Sequence, residues 1–365
     1  MSNEIEFKIA VFPGDGIGIE VMESAVAVLG AAQARVGGFK LVNTELVGGA
    51  GCYRDTGVDL PEESLKSAET ADAILLGAMG LPDVRRPDGT ELAPQVDMRV
   101  HFDLYAGVRP IRTIPGGPKI LADPRAEKID LILIRESTEG LFAARGKGVI
   151  EDDREARDTM VITRPTSEKL FDFGFRLAKR RKASGHAGKL TLVDKANVFT
   201  SMAFFRKVFD ERAAAFPEIT AEHLYVDACA LDLVRRPWDF DVMVTENMYG
   251  DILSDLAAGL VGGMGFAPSA DIGDDNAVFQ PSHGTAPDIM GTGKANPTAM
   301  ILSAAMMLDW LGHRHGVEAC ETAARMIDQA LEAGIGDGRI RTFDAGGSNT
   351  TAEVTRTVID IINNG

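Results

Sequence analysis

The sequence predicts an α/β fold in which buried, largely parallel strands alternate with helices. Two observations carry this prediction: apolar runs rich in β-branched residues recur along the chain, and amphipathic stretches with helical periodicity lie between them. The 365 residues are enough for one large domain or two smaller ones. Because no linker-like segment divides the chain, a second domain is expected as an insertion within the first.

The predicted strands are short apolar runs bounded by polar or turn-forming residues. In chain order they are FKIAVF (7–12), ADAILLG (71–77), KIDLILI (128–134), KLTLVD (189–194), HLYVDACA (223–230) and FDVMVT (240–245). The clearest predicted helices are SEKLFDFGFRLAKRRK (167–182) and PTAMILSAAMMLDWLGHR (297–314). Residues 262–297 combine many Gly, Pro and Asp residues with little periodicity, which predicts a long functional loop region.

Charge and composition narrow the expected partners and location. The formal net charge is −16 and the acidic residues are dispersed, which argues against nucleic acid and anionic membranes because both bind basic surfaces. No apolar run approaches the roughly 20 residues of a membrane span. The start MSNEIEFKIAVF lacks the pattern of a signal peptide, so a cytoplasmic protein is expected. Cys52, Cys229 and Cys320 have no metal-ligand spacing and are expected to be reduced, buried thiols.

The stretch FPGDGIGIE (12–20) is similar to a dinucleotide-binding fingerprint but does not match it. Gly14, Gly16 and Gly18 are spaced G-x-G-x-G, and Ile19 stands where G-x-G-x-x-G needs its third glycine. That glycine spacing is what permits the close approach to a pyrophosphate in the Rossmann fold. A glycine turn that lines a cleft is therefore expected instead.

Three arginines are candidates for binding a dicarboxylate. Arg99 and Arg109 lie ten residues apart in QVDMRVHFDLYAGVRP, and Arg135 follows a predicted strand. Guanidinium groups that converge on one cleft suit a dicarboxylate because each can hold a carboxylate through paired hydrogen bonds. Spacing alone leaves open that these arginines lie on solvated surfaces.

Two aspartates in TENMYGDILSDLAAG are candidates for binding a divalent cation. Asp251 and Asp255 are four residues apart, hence on one face of a helix, where like charges repel unless a cation lies between them. Asp227 in YVDACALD is a candidate third ligand. Hard oxygen ligands without His or Cys favour Mg²⁺ or Mn²⁺ over zinc. The alternative is a solvated acidic helix face.

Two further segments carry polar residues suited to chemistry. Lys195 follows a predicted strand in LVDKANVF, and a lysine at the end of a strand near a metal-bound oxygen can have its pKa lowered enough to act as a base, although most lysines are surface residues. QPSHGTAPDIMGTGKANP (280–297) has the small and turn-forming residues of a loop that wraps a ligand. In it, His283 can stack or hydrogen-bond, and Asp288 can accept bonds from a ribose diol.

Eight motifs in order together resemble the isocitrate/isopropylmalate dehydrogenase family, the metal-dependent β-decarboxylating dehydrogenases. They are PGDGIG (13–18), R-x9-R-P (99–110), RESTEG (135–140), VDKANV (193–198), YVDACALDLV (225–234), TENMYGDILSDLAAGL (245–260), HGTAPDIMGTGKANPTAMILSAAMML (283–308) and RTFDAGGSNTT (341–351). The resemblance implies a two-domain α/β fold that is not a Rossmann fold. Residues 1–104 and 262–365 would form a large cofactor-binding domain, and residues 105–261 an inserted domain for dimerisation, substrate and metal. The active site would lie in the interdomain cleft of a homodimer.

The resemblance also implies a role for each matching position. Arg99, Arg109 and Arg135 would bind the malate portion of a hydroxy-acid substrate, with Gln95 and Phe142 beside it. Mg²⁺ or Mn²⁺ would be held by Asp251 and Asp255 together with Asp227 of a second subunit. Lys195 of that subunit would help to deprotonate the hydroxyl. The implied NAD-binding residues are Asn197, His283, Gly284, Thr285, Ala286, Asp288 and Asn296.

The choice of cofactor follows from two positions in the loop. Asp288 and Ile289 occupy the positions at which the family resemblance implies a Lys-Tyr pair in NADP-using members. A carboxylate accepts hydrogen bonds from two ribose hydroxyls but repels a 2′-phosphate. NAD is therefore the expected cofactor.

Phe142, the last residue of RESTEGLF (135–142), departs from the family pattern. Most active members have a tyrosine there, whose hydroxyl is thought to protonate the carbon left by CO₂. Three interpretations follow: decarboxylation with water or Lys195 as the proton source, oxidation alone, or a non-catalytic regulatory subunit. The intact arginine, aspartate and lysine set favours an active enzyme.

The helix that carries Arg99 is expected to meet the 3-substituent of the substrate. Leu92, Gln95 and Val96 on its face match neither the leucine-lined pattern of isopropylmalate enzymes nor the small polar pattern of isocitrate enzymes. The expected substrate is a malate with a modest or polar substituent, such as 3-isopropylmalate, D-malate or tartrate. An isocitrate-type dehydrogenase is the alternative.

Overall fold

The computed structural model describes residues 4–365. The first three residues, which open the segment considered for a signal peptide, lie outside the described residues. Between residues 4 and 365 no helix has both the length and the apolar composition that crossing a membrane requires. All three cysteines are buried as free thiols, as expected.

The described chain alternates strands with helices. Its strands are β1 (Ile5–Gly14), β2 (Phe39–Glu45), β3 (Ala73–Ala78), β4 (Ala106–Arg112), β5 (Asp130–Glu136), β6 (Val149–Glu151), β7 (Glu155–Arg157), β8 (Lys189–Asp194), β9 (Thr220–Tyr225), β10 (Val242–Thr245), β11 (Pro268–Ile272) and β12 (Ala277–Pro281). Its α-helices are α1 (Gly18–Val36), α2 (Ala50–Thr56), α3 (Glu62–Glu69), α4 (Pro94–His101), α5 (Arg164–Ala183), α6 (Thr200–Ala213), α7 (Val226–Arg235), α8 (Asn247–Gly259), α9 (Thr298–His315), α10 (Glu318–Gly336) and α11 (Thr351–Asn364). Short 3₁₀ turns cover Pro124–Lys128, Leu141–Ala144, Pro237–Asp239 and Met264–Phe266.

Ten of the described strands form one continuous sheet in the order β2-β1-β3-β12-β11-β4-β5-β10-β8-β9. The four strands at each end pair in parallel. In the centre, β11 pairs antiparallel with both β12 and β4, and β4 pairs antiparallel with β5. The α/β prediction with largely parallel strands is therefore confirmed, and the antiparallel centre is an addition that sequence patterns did not indicate.

Helices cover both faces of the sheet and bury separate apolar clusters. On one half, α1, α9, α10 and α11 pack over β1, β3, β11 and β12. On the other half, α5 and α6 pack on one face of β8 and β10, and α7 and α8 cover the opposite face. Burying these apolar faces is the main favourable contribution to folding.

Two sequence predictions need correction. The segment 262–297 is not loop throughout, because β11 and β12 lie within it and are buried along their whole length. Their prolines and polar residues interrupt the apolar run that marks a buried strand. Because both strands lie in the centre of the sheet, they also lack the polar outer face that gives an alternating pattern. HLYVDACA is not one strand: β9 ends at Tyr225 and α7 begins at Val226, because Cys229 and Leu233 are buried at helical spacing.

Candidate active site

A cavity of about 260 Å³ opens beside the antiparallel centre of the sheet. Its lining combines side chains from distant parts of the chain, most of them polar. The lining residues are Gly77, Ala78, Met79, Gln95, Val96, Arg99, Arg109, Arg135, Phe142, Asp251, Ser254, Asp255, Gln280, Pro281, Ser282, His283 and Gly284. The structure thus brings together the three arginines, the two helix aspartates, Gln95, Phe142, His283 and Gly284 that the sequence analysis proposed.

Strand register explains why several of these residues face the same way. Arg135 lies opposite Gly107, and Gly107 lies opposite Asp271 on its other side. Directly paired residues in a sheet point to the same face, as do residues two positions apart along a strand. Arg109 and Gln280 therefore also project from this face. The antiparallel centre of the sheet is the floor of the cavity.

The three arginines are all buried, with between 3% and 7% of their surface exposed. Each has a different anchor. Arg99 Nε donates to Asp271 at 3.0 Å, and Arg109 Nη1 donates to the hydroxyl of Ser269. Burial lowers the pKa of Arg109, and burial together with the charge of Arg99 lowers the pKa of Arg135 to about 10. Because arginine side chains in proteins carry a positive charge, the cavity concentrates positive charge in a chain that is acidic overall.

Arg135 is held against α8 by the first residues of that helix. Its Nε and Nη2 donate to Asn247 Oδ1 at 2.9 and 2.8 Å, and its Nη1 donates to Asp251. Gly250 permits this approach, because a Cβ there would come within 2.7 Å of the Arg135 side chain. The guanidinium also lies 5.0 Å from the centre of the Phe142 ring. The ring therefore makes a cation–π contact with Arg135.

The turn that carries Phe142 is built on a buried carboxylate. Glu136 accepts hydrogen bonds from the backbone N–H of Thr138 at 2.6 Å and of Glu139 at 2.8 Å. Burial raises the pKa of Glu136 to about 7. Gly140, with φ of 72°, then turns the chain toward the 3₁₀ turn that begins at Leu141. RESTEG is therefore a structural unit that presents an arginine at one end and a ring at the other.

Asp251 and Asp255 project from α8 into the cavity, one helical turn apart. Burial and the negative charge of Asp251 raise the pKa of Asp255 above its ordinary value. Arg135 partly compensates Asp251. Such a pair is disfavoured on its own and becomes favourable when a cation lies between the carboxylates, so the donor set fits a hard divalent metal.

Lys195 and Asp227 do not line this cavity in one chain. Lys195 Nζ donates to Asp227, whose side chain is 69% exposed, and this hydrogen bond lowers the pKa of the carboxyl. They follow β8 and β9, two and three strands from β5 in the sheet. With neighbouring strands about 4.8 Å apart, the pair lies roughly 10–14 Å from the strand of Arg135. Within residues 4–365 of a single chain, no set of three His, Cys, Asp or Glu side chains is arranged to hold a metal.

Several apolar side chains on the elements that carry this exposed pair are also exposed. Leu231 and Val234 on α7 and Ile252 on α8 are 54%, 49% and 61% exposed. Val198 and Phe199, close to Lys195 in the chain, are also exposed. Such patches mark surfaces that another molecule covers. Asn197 lies in a separate shallow groove beside Tyr225 and Arg206.

The loop after β12 carries the remaining predicted residues. His283 Nδ1 lies 2.9 Å from the carbonyl oxygen of Gly284, so this nitrogen donates. Burial lowers the pKa of His283, and Nε2 of the neutral ring is a buried acceptor with no partner among residues 4–365. Thr285 is packed under the glycine turn, where its carbonyl accepts from Ile17 N at 2.8 Å. A Cβ on Gly16 would lie 2.1 Å from that carbonyl oxygen.

The remaining predicted residues of the loop differ in whether their side chains are exposed or already hydrogen-bonded within the protein. Asp288 is exposed, and Ala286 adopts a positive φ of 36°. Asn296 is buried and engaged: its Nδ2 donates to Asp344 at 3.1 Å and its Oδ1 accepts from Thr298 N at 3.0 Å. Its side chain therefore fixes the start of α9 and already has protein partners.

Sequence reasoning missed several residues that shape the cavity. The most important are Asp271 and Gln280 on the floor and Asn247 beside Arg135. Asn247 is four residues before Asp251, so helical spacing alone indicates its face. Asp271 carried one signal, a charged residue in the otherwise small and apolar run PSADIG, but its partners are 172 and 9 residues away in the chain.

An α/β protein whose buried arginines share a cavity with paired aspartates has the features of an enzyme for a small dicarboxylic acid. Comparison with known proteins agrees. The family model described as isocitrate/isopropylmalate dehydrogenase matches residues 8–362. The 3-isopropylmalate dehydrogenase of Moorella thermoacetica is 43% identical over 341 residues, which are 90% of each chain. The 3-isopropylmalate/3-methylmalate dehydrogenase of Methanocaldococcus jannaschii is 40% identical over 96% of this chain and 97% of its own.

A solved structure shows the same fold. The isocitrate dehydrogenase of Methylococcus capsulatus superposes with a TM-score of 0.85 at 35% identity, covering 98% of this chain and 99% of its own. The chain belongs to the isocitrate/isopropylmalate dehydrogenase family. It is a hydroxy-acid dehydrogenase of the decarboxylating type.

Proposed function

We propose that the protein oxidises a 3-substituted malate, such as 3-isopropylmalate, D-malate or tartrate, with NAD and Mg²⁺ or Mn²⁺, and that decarboxylation follows. The observation that carries this proposal is the meeting of three buried arginines with Asp251 and Asp255 around one cavity. Arginines hold carboxylates, and paired aspartates hold a hard cation. The names of the relatives favour a malate over other hydroxy acids.

The two helix aspartates are the proposed metal ligands, and Asp227 of the partner subunit completes the set. A bound divalent cation supplies Lewis acidity toward an oxygen of the substrate. The arginines bind and orient the two carboxylates of the malate portion. Lys195 of the partner subunit would accept the proton of the substrate hydroxyl through its uncharged amine form and become an ammonium.

A homodimer with shared active sites is part of this proposal. Lys195 and Asp227 lie outside the cavity of their own chain, and apolar side chains on α7 and α8 are exposed. A second copy that covers α7 and α8 would bury these side chains and bring its own Lys195 and Asp227 to the cavity. Symmetric dimers of this kind are the commonest oligomers.

The proposed cofactor site is the loop that lines the open side of the cavity. His283 presents an unpartnered acceptor, Gly284 leaves open space where a Cβ would be, and Asp288 is exposed. Bound there, NAD supplies the hydride acceptor. The carboxylate of Asp288 favours a ribose diol and repels a 2′-phosphate. We assign Asn197 to the cofactor site of the neighbouring subunit, because it adjoins Lys195.

We propose the domain boundaries expected from the sequence, 1–104 plus 262–365 for one domain and 105–261 for the other. The separate apolar clusters on the two halves of the sheet support two units. The continuous sheet joins the two units at the cavity floor, so any movement of one unit relative to the other would bend the sheet at its antiparallel strands.

Purified protein is expected to reduce NAD in the presence of Mn²⁺ and a malate-type acid, and to lose this activity when EDTA removes the metal. Because Asp288 repels a 2′-phosphate, kcat/KM with NADP should be at least about tenfold lower than kcat/KM with NAD. The assay compares D-malate, tartrate and 3-isopropylmalate by NADH absorbance. Binding of these acids without turnover would contradict the proposal and indicate a regulatory subunit.

Phe142→Tyr is expected to increase the ratio of CO₂ released to NADH formed. The substitution places a proton donor beside Arg135, and general acid catalysis typically contributes about 10²–10⁴-fold. CO₂ and NADH are measured in the same reaction. Phe142→Leu serves as the control, because it removes the phenyl ring without adding an acid. An unchanged ratio of CO₂ to NADH in the tyrosine variant would show that the phenyl ring is not what limits decarboxylation.

A further inference from the structure

Asp271 lies on β11 beneath the three arginines, and its carboxylate is fully buried. Its Oδ2 accepts from Arg99 Nε at 3.0 Å and from Gln280 Nε2 at 2.6 Å, and its Oδ1 accepts from the hydroxyl of Ser137 at 3.3 Å. Gly107 on the adjacent strand leaves room for it, since a Cβ there would lie 3.0 Å from Oδ1. The surrounding residues are therefore arranged to hold a carboxylate at this position.

The charge of Asp271 is matched to the arginines above it. Burial by itself raises the pKa of Asp271, but the positive charges of Arg99, Arg109 and Arg135 outweigh burial and hold the pKa below its ordinary value. The aspartate is thus ionised and compensates part of the repulsion among the three guanidinium groups. Through its bond to Nε it also fixes the direction of Arg99, leaving the two terminal nitrogens for a ligand.

The charges around the cavity are balanced. Three guanidinium groups face three carboxylates, those of Asp251, Asp255 and Asp271. If a divalent cation binds the helix aspartates, as the proposed function requires, and the ion pair of Asp227 and Lys195 of the partner subunit adds no net charge, two negative charges on the substrate restore neutrality among these groups. A third substrate carboxylate would leave one uncompensated charge in a buried site, which is costly.

We propose that Asp271 is a positioning and specificity-determining residue, which orients Arg99 and limits the cavity to hydroxy acids with two carboxylates. This inference rests on the proposed function and deepens it, because it names the charge class of the substrate. It places the substituent at C3 among uncharged groups. Gln95 fits such a group, because its Oε1 is buried and has no hydrogen-bond partner among residues 4–365.

The test compares kcat/KM for D-malate, with two carboxylates, and isocitrate, with three, in the wild type and in Asp271→Asn. The wild type is expected to prefer the dicarboxylate, and Asp271→Asn to shift the ratio toward isocitrate by about tenfold, mainly through KM. A ratio that stays within twofold while both activities fall would show a merely structural role and overturn the inference. So would a wild type that prefers isocitrate.

The double variant Asp271→Asn with Gln280→Glu is the matched control. It moves the negative charge to the other end of the same hydrogen bond, so the total charge of the cavity floor is unchanged. A charge-setting role requires this variant to keep the wild-type preference, and a shift as large as that of Asp271→Asn would contradict it. Because the double variant retains the buried charge, it also provides the test if Asp271→Asn alone does not fold.

Failure of the inference can be separated from failure of the proposed function. If the wild type oxidises no malate-type acid, the proposed function is wrong, and calorimetric binding of D-malate and isocitrate in the presence of Mn²⁺ still measures the charge preference. If the wild type oxidises D-malate but the preference does not depend on the charge of the floor, only the assignment of Asp271 is wrong.

Discussion

Lys195→Ala is expected to lower kcat by about 10²–10⁴-fold, the usual contribution of a general base. The ammonium of Lys195 is anchored by Asp227 at the end of β8, where a second copy of the chain would receive it. The substitution removes the proposed proton acceptor but leaves the arginine cluster and α8 intact. Substrate binding should therefore change much less than turnover, so the loss should appear in kcat.

Two further variants separate the role of the proton from that of the charge. Lys195→Arg keeps the cation and its contact with Asp227 but cannot release a proton near neutral pH, so it should be nearly as impaired as alanine. Lys179→Ala removes a lysine from another exposed ion pair, with Glu218, and should leave activity unchanged. Near wild-type turnover in Lys195→Arg would show that Lys195 only supplies charge.

Asp255→Asn is the second change with a large expected effect, a loss of about 10³-fold in metal-dependent activity. The Lewis acidity of a divalent cation is worth several kcal/mol, and each 1.4 kcal/mol corresponds to about tenfold in rate. Asp255 is a cleaner choice than Asp251, because Asp251 also holds Arg135. The amide keeps the size of the side chain and removes the charge that the cation needs.

The same variant makes a prediction about stability. Burial and repulsion from Asp251 raise the pKa of Asp255, so the ionised carboxyl is unfavourable in the folded protein without metal. Asp255→Asn should therefore leave the melting temperature of the metal-free protein unchanged or higher. Mn²⁺ should stabilise the wild type more than the variant. The exposed Asp275→Asn is the matched control and should behave as the wild type. An unimpaired Asp255→Asn enzyme would remove Asp255 from the metal site.

The sequence predicted those parts of the fold that depend on local periodicity. Helices α5 and α9 and strands β5, β8 and β10 lie where the apolar pattern placed them, because the helices bury an apolar face and the strands are uninterrupted apolar runs. Strands β11 and β12 were missed because they are short and have proline and polar residues at buried positions, which interrupt the apolar run. Neither alternation nor a long apolar run marks strands of that kind.

The candidate site was predictable to the extent that its residues occur in motifs. The arginines and helix aspartates lie around one cavity, as the family resemblance implied, whereas residue types and spacing alone left open that they lie on solvated surfaces. Asp271 was missed because its importance comes from tertiary contacts with Arg99 and Gln280. The separation of Lys195 from the cavity of its own chain was implied by family resemblance alone, since residue spacing does not show which subunit a side chain serves.

The shared cavity is tested most directly by a heterodimer of one Lys195→Ala chain and one Asp255→Asn chain, purified with two different affinity tags. If Lys195 serves the cavity of the other subunit, one of the two sites has neither defect, and the heterodimer should show about half the activity of the wild-type dimer. Each homodimeric variant should remain nearly inactive. A heterodimer as inactive as both parents would show that Lys195 and Asp255 act within the same chain, which would contradict the shared site.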